Sequence, residues 1–392
     1  MQTAMVGLWP AKNAAAGPNW PGGGAGGGRV DAAAPRHDPV PMNTAPVART
    51  ALPALIAIAA LAGCAGPDRA AAIDPDAIRP RTDLAMFDGR SGAAMTWPQL
   101  MDGIADADVV IIGELHDDAV GHRVQRALVE DAVARFDNIA LSMEMLERGE
   151  QWIVDDYLAD LIDRERFIQD TASTRWRQLA RQYLDGEIRR REFSEKIMAP
   201  GWPDWESNYQ PIIDAAKAGG AKVIAANAPF ARYSKFIPAD NYDGLEKMTP
   251  AQRRLVETAD VPPSGRYRER FWEVMAGRAE GAEPAPAPEA ADGEDPHPPQ
   301  TDEQVRRGLY VQMLYDATMA DSIADALNDG AAKVIHLVGQ FHSDFEGGTV
   351  LELRRRAPEA RIVVISMQRE PASGLRDEDR DRGDVVMYTM PR

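Results

Sequence analysis

The sequence predicts an α/β protein: an open, mostly parallel β-sheet flanked by helices, with helical insertions that form a cap or a second small subdomain. Three observations carry this. Six short Val/Ile-rich runs are apolar almost throughout rather than alternating, as strands covered on both faces are. Helical stretches separate them, which favours a parallel sheet built from strand–helix units. Two of the runs end in the same Gly-x-x-His, which sets paired chemistry at one edge of the sheet.

The strands are expected at Asp108–Gly113 (DVVIIG), Ile139–Glu144 (IALSME), Lys222–Asn227 (KVIAAN), Lys333–Gly339 (KVIHLVG), Arg361–Ser366 (RIVVIS) and Val385–Thr389 (VVMYT). Helices are expected over Asp118–Arg135, Trp205–Lys217, Asp302–Leu327 and Thr349–Arg356. Residues 145–204 break the alternation with a charged, aromatic, helical pattern and read as an insertion or cap. Residues 245–278 read as a second helical insertion. The segment 279–300 holds six prolines, six acidic residues and no Lys or Arg, and is expected to be a disordered acidic loop. His297 lies inside it and is discounted as a ligand.

The chain begins with residues 1–41, rich in Gly, Ala and Pro and without apolar periodicity, which are expected to be disordered or to precede the true start at Met42. Residues 42–63 have the form of a signal peptide: Arg49 is the positive end, and Ala51–Gly63 is an apolar stretch too short to span a bilayer. It ends in Leu61-Ala62-Gly63-Cys64, which resembles the lipobox of bacterial lipoproteins. Cys64 is the single cysteine of the 392 residues, and lipidation explains its position better than redox or metal chemistry. An outer-membrane lipoprotein, its domain in the periplasm or at the cell surface, is expected. A linker at 65–84 would then lead into the domain at 85–392.

The full chain carries 44 basic and 61 acidic residues, a net charge of −17. Removing residues 1–63 takes away Lys12, Arg29, Arg36 and Arg49 with Asp31 and Asp38, leaving a charge near −19. Such a surface repels nucleic acid and anionic headgroups, so the lipid must hold the domain to the membrane. No second cysteine exists for a disulfide.

The chemistry-bearing pattern is the repeated strand–Gly-x-x-His. One copy is Gly113-Glu114-Leu115-His116, the other Gly339-Gln340-Phe341-His342. Each glycine is expected to let the chain turn sharply as it leaves the sheet, and each histidine to land at the strands' carboxyl ends, where α/β sheets bind ligands. Glu114, Glu144 and Asn227 reach the same rim. His122, six residues beyond His116, approaches it from the following helix. His336 sits mid-strand and reads as a satisfied interior histidine.

The run Gly-Glu-Leu-His-Asp-Asp with His122 and Gln125, then Ser-Met-Glu-Met, Trp205…Tyr209-Gln210-Pro211, Ala225-Ala226-Asn227, Met319-Ala320-Asp321 and Gly339…His342 resembles the ChaN family. These are haem-binding lipoproteins of the Tiki/TraB/erythromycin-esterase superfamily. The resemblance spans roughly Asp108 to Ser366. It implies haem bound through an exposed tyrosine at a subunit interface, with two haems face to face in a homodimer, and an outer-membrane haem transporter as partner. Tyr209 is the first choice of ligand, ahead of Tyr157, Tyr183 and Tyr315. Arg123 and Arg232 are candidates to pair with the propionates, beside His116, His122, Asn227 and His342. The acidic loop departs from the family pattern, as do Phe230 and Ala231 before Arg232.

The superfamily also implies an alternative: a divalent-metal-dependent hydrolase of esterase or protease type, with Glu114, His116, Glu144 and His342 as metal ligands or general base. Their spacing matches no recognised zinc signature. No Gly-x-Ser-x-Gly nucleophile motif is present.

Overall fold

Eight strands form one sheet in the order β2-β1-β8-β7-β3-β6-β4-β5. They are β1 (Ala85–Asp88), β2 (Ala94–Met95), β3 (Val109–Glu114), β4 (Ile139–Glu147), β5 (Lys222–Asn227), β6 (Lys333–Gly339), β7 (Ile362–Pro371) and β8 (Val385–Met390). The computed structural model describes residues 74–171, 202, 204–229, 236–237, 241–260, 264–283 and 300–390. Cys64 with its leader, Arg232, Tyr183, His297 and most of the acidic loop lie outside the described residues.

The helices longer than one turn among the described residues are α1 (Trp97–Gly103), α2 (Ala119–Arg135), α3 (Gln151–Leu158), α4 (Arg164–Asp170), α5 (Gln210–Ala218), α6 (Arg266–Ala276), α7 (Asp302–Asn328) and α8 (Gly348–Arg356). Their starts are written in the sequence. Thr96 with Gln99 and Thr301 with Gln304 form capping boxes at α1 and α7, and Asp118 caps α2 through Val120 N–H. Among the described residues no helix is long and apolar enough to cross a membrane.

β5, β4, β6, β3, β7 and β8 run parallel, and the β1–β2 hairpin closes one edge antiparallel. All six expected strands are present, in the expected mostly parallel sheet. The hairpin escaped sequence reasoning because its strands are four and two residues long. Residues 74–84, expected as linker, instead pack on the domain: Ile78 and Leu84 are buried, and Arg81 pairs with Glu130 and Asp131 of α2. Residues 145–147, expected to open the insertion, extend β4.

The continuous apolar strands serve two cores, because successive side chains point to opposite faces. Val110, Ile112, Leu141, Met143, Ile335 and Leu337 pack under α2 and α5. Val109, Ile111, Ala140, Val334, Val338 and Val364 pack under α7 and α8. β3 and β6 are buried along their whole length.

Chain order places the site. After β3 the chain moves outward to β4 and β5, returns to insert β6 beside β3, then crosses to β7 on the other side. The order thus reverses at β3–β6–β4, where a crevice opens at the carboxyl ends. The far end is closed by Lys333, buried at the start of β6, whose ammonium donates to the carbonyls of Ile104 (2.7 Å), Ala105 (3.3 Å) and Ala107. These carbonyls line the turn that follows α1, where Ile104 also accepts the Ala107 N–H. Lys333→Met keeps the stem but strands these carbonyls. It should lower stability by about 1–3 kcal/mol, read as a fall in the midpoint of denaturant unfolding; an unchanged midpoint would mean that water replaces the ammonium.

Candidate functional site

The two Gly-x-x-His segments meet at the carboxyl edge of β3 and β6, where Glu114 is in register with Gly339. Neither glycine has a positive φ, so neither serves to turn the chain, contrary to the expectation. Each makes room for the other motif. A Cβ on Gly113 would stand 2.3 Å from Ser343 Oγ and 3.2 Å from Gln340 Cα, in the turn that carries His342. A Cβ on Gly339 would stand 2.9 Å from His116 Nε2. The motif is repeated because its two copies interlock.

Glu144 is the third strand's contribution. The regular β4–β6 pairing ends at Met143, and the β4–β5 register shifts between Met143 and Glu147. Such an irregularity re-aims a side chain. Glu144 Oε2 accepts the Gly339 N–H at 2.6 Å, which ties β4 to the end of β6.

Around this centre stand two carboxylate–imidazole dyads, one from each face of the sheet. From the α2 face, Glu114 Oε1 lies 2.8 Å from His116 Nδ1. Glu114 also accepts from Tyr209 Oη (2.6 Å) and Gln125 Nε2 (2.5 Å). His122 stands behind the rim rather than on it: its Nδ1 meets Gln125 Oε1 at 3.1 Å and its Nε2 meets His116 O at 3.2 Å. From the α7 face, Asp316 Oδ1 lies 2.6 Å from His342 Nδ1, and Asp316 also accepts from Tyr267 Oη (2.6 Å) and Thr349 Oγ1 (2.7 Å). His342 Nε2 is 3.5 Å from Glu144 Oε1 and 2.9 Å from Gln312 Nε2. Both dyads hold Nδ1 and leave Nε2 toward the rim. Trp202 lies on His116, with ring centroids 4.5 Å apart.

Charge follows from this packing. Burial would raise the Glu114 carboxyl, but His122, His116 and Tyr209 outweigh it and hold it down at about 2. Burial would lower both rim imidazoles. Glu114 and Glu144 nevertheless raise His116, and Asp316 and Glu144 lift His342 to about 9. His336 goes the other way: burial, then the His342 charge, push it down to about 3. Its Nδ1 meets Ser142 Oγ at 3.0 Å, and its buried Nε2 has no partner, so it is interior as expected but only half satisfied.

Glu114, His116, Glu144 and His342 are therefore brought together as expected. Among the described residues, however, no three His, Asp or Glu side chains converge closely enough to hold a metal ion, because Glu114 and Asp316 sit behind their histidines. Asn227 ends β5 and accepts Ala228 N–H with its own side chain.

Two further expectations need correction. Tyr209 is fully buried under Trp202 and Trp205, its hydroxyl is spent on Glu114, and burial beside that charge raises the phenol well above its ordinary range. It is a support of the first dyad and not an exposed ligand. Tyr157 and Tyr315 are buried as well. Arg123 is held by Asp76 (2.5 Å) and the Ile78 carbonyl (3.0 Å), so its guanidinium is committed away from the rim. Sequence reasoning missed Asp316, Gln312, Tyr267 and Thr349. Their one signal was Asp316 itself, the single charged residue of the run Leu309–Ala320 of α7.

The family model described as "Haem-binding uptake, Tiki superfamily, ChaN" matches residues 100–185 and 177–353. The chain belongs to this family. Both Gly-x-x-His motifs, Glu144 and Asp316 fall within the matched residues. The structure titled "Cofacial heme binding to ChaN of Campylobacter jejuni" is similar at a TM-score of 0.50 and 15% identity, over 78% of this chain and 97% of that one. That likeness shows the fold. The type III effector HopBA1 (TM-score 0.38, 12% identity, 80% of this chain and 100% of that one) and a Bacillus cereus protein (0.35, 12%, 70% and 69%) are more remote and carry no argument. No curated protein sequence matches the chain.

The raised His342 gives this ChaN-family chain a pH signature. A group whose folded pKa lies above its unfolded value of about 6.5 stabilises below that value, and the contribution is lost as pH rises through the folded pKa. Asp316→Asn removes the main charge that raises His342. Native stability should therefore fall between pH 6.5 and 9 relative to the variant, measured as thermal midpoints across that range. Parallel profiles would show that Asp316 does not hold the proton on His342.

Proposed function

We propose that this protein binds haem and serves in haem or iron uptake, as a lipoprotein held to the outer membrane through an acylated Cys64. The observation that carries the reading is the family match across residues 100–353, which takes in the whole rim. A haem-linked homodimer and an outer-membrane haem transporter as partner belong to the same reading.

The chemistry of the rim limits how haem is held. His342 carries its proton at neutral pH, since Asp316 and Glu144 lift it to about 9. Iron would have to displace that proton. A cation suits the carboxylates of a haem better than its metal. The buried Tyr157, Tyr209 and Tyr315 are equally unsuited to ligate iron in this conformation, because tyrosinate needs an exposed or positively charged setting.

Ferric haem titrated into the full chain should give a saturable absorption change and a rise in mass consistent with pairing. Tyr209→Phe should retain that uptake within about twofold, well under the tenfold that corresponds to 1.4 kcal/mol. No saturable uptake would sink the haem reading, and its specific loss in a folded Tyr209→Phe protein would restore Tyr209 as the ligand. Cys64→Ser should abolish incorporation of labelled fatty acid and release the protein from membranes.

The paired dyads favour a second reading, hydrolysis. Glu144 stands between two imidazoles, one of them cationic, where a base and a stabiliser of developing negative charge are both in place. The two readings separate on one variant. His116→Ala with His342→Ala should abolish hydrolysis of a model ester and leave the iron ligation of bound haem, read from its absorption spectrum, intact.

A further inference from the structure

Beside the rim, three guanidinium groups crowd one phenylalanine. The Cζ atoms of Arg266, Arg270 and Arg382 lie 3.7, 4.8 and 4.9 Å from the centre of the Phe345 ring. Arg270 also lies 5.2 Å from the centre of the Phe341 ring. Phe345 and Glu346 both adopt left-handed backbone (φ 57° and 60°), which a phenylalanine takes at a cost, and the turn sets its ring among the arginines. Phe341 immediately precedes His342, and their rings are 6.5 Å apart. The cluster therefore borders the second dyad.

The positive charge here is only partly neutralised, with two carboxylates against three guanidinium groups. The two acidic side chains at the cluster, Asp344 and Asp379, both pair with Arg382, at 3.0 and 2.9 Å. Arg270 donates to the Asp344 carbonyl at 2.5 Å, a neutral acceptor. Among the described residues neither Arg266 nor Arg270 forms an ion pair, although the chain carries 61 acidic residues against 44 basic ones. The two stand one turn apart on α6, where like charges repel. Burial and the charges of Arg382 and Arg266 together push the Arg270 guanidinium down against the pull of Asp344. By contrast, Arg354, Arg355 and Arg356 of α8 are spent on Glu346, Asp260, Glu352 and Asp321. An uncompensated arginine pair over aromatic faces, on a chain that otherwise repels anions, has the chemistry of a carboxylate receptor.

We propose that Arg266 and Arg270, with Phe341 and Phe345 beside them, receive the propionate carboxylates of the bound haem. This rests on the haem reading and adds the place where the ligand's acidic edge is held. It replaces Arg123, which is committed to Asp76, as the source of the charge.

The test compares ferric haem with its dimethyl ester, titrated into the full native chain, into Arg266→Gln and into Arg266→Gln/Arg270→Gln. The native chain should bind haem at least tenfold more tightly than the ester. The double variant should lose at least tenfold for haem and bind acid and ester alike, with the exposed Arg266→Gln intermediate. Arg266 makes no polar contact that folding needs, so the single variant keeps the test meaningful if the double variant is unstable. Equal native binding of acid and ester overturns the proposal. So does an equal loss for both ligands in the variants, because the arginines would then act through packing. Absence of haem uptake by the native chain fails the haem reading itself, and the proposal falls with it.

Discussion

The close approach of β3 and β6 at their carboxyl ends is the constraint on which the rest of the site depends. It exists because positions 113 and 339 carry no side chain. At Gly113 the missing Cβ admits the turn that carries His342, and at Gly339 it lets His116 lie against the backbone. Glu144 then closes the junction by accepting Gly339 N–H. Three neighbouring strands are joined at one point, and every functional side chain is placed relative to it.

From that junction the electrostatics follow. A buried carboxylate is costly unless it is fully hydrogen-bonded. Glu114 and Asp316 meet this condition, each accepting from an imidazole and a tyrosine, with Gln125 or Thr349 besides. The tyrosines are thus structural donors. Their burial keeps the phenols neutral, the negative charge stays on the carboxylates, and its field makes the rim imidazoles more basic than a free histidine. A rim built this way presents positive charge outward from an acidic protein, and the unneutralised arginines of α6 extend that charge along the same edge.

Much of the sheet was legible in the sequence. Continuous Val/Ile runs located the starts of all six parallel strands within a residue, because strands buried on both faces admit little else; β4 and β7 run three and five residues further than their apolar runs. The paired Gly-x-x-His correctly drew Glu114, His116, Glu144 and His342 to one edge. Asp316 was barely legible, because one of four aspartates on a long helix looks the same whether it faces solvent or a histidine 26 residues away in sequence. Tyr209 and Arg123 were misjudged for a related reason: residue type gives the chemistry available to a side chain, not the partner that consumes it.

The sequence by itself determined the fold class, the strands, the capped helices and the family pattern, since each is set by local periodicity and short-range hydrogen bonding. Tertiary structure decided that the two glycines interlock, that Glu114 and Asp316 stand behind their histidines, and that Arg266 and Arg270 are left without carboxylates. Those outcomes depend on which distant groups share a volume, and only the packed chain fixes that.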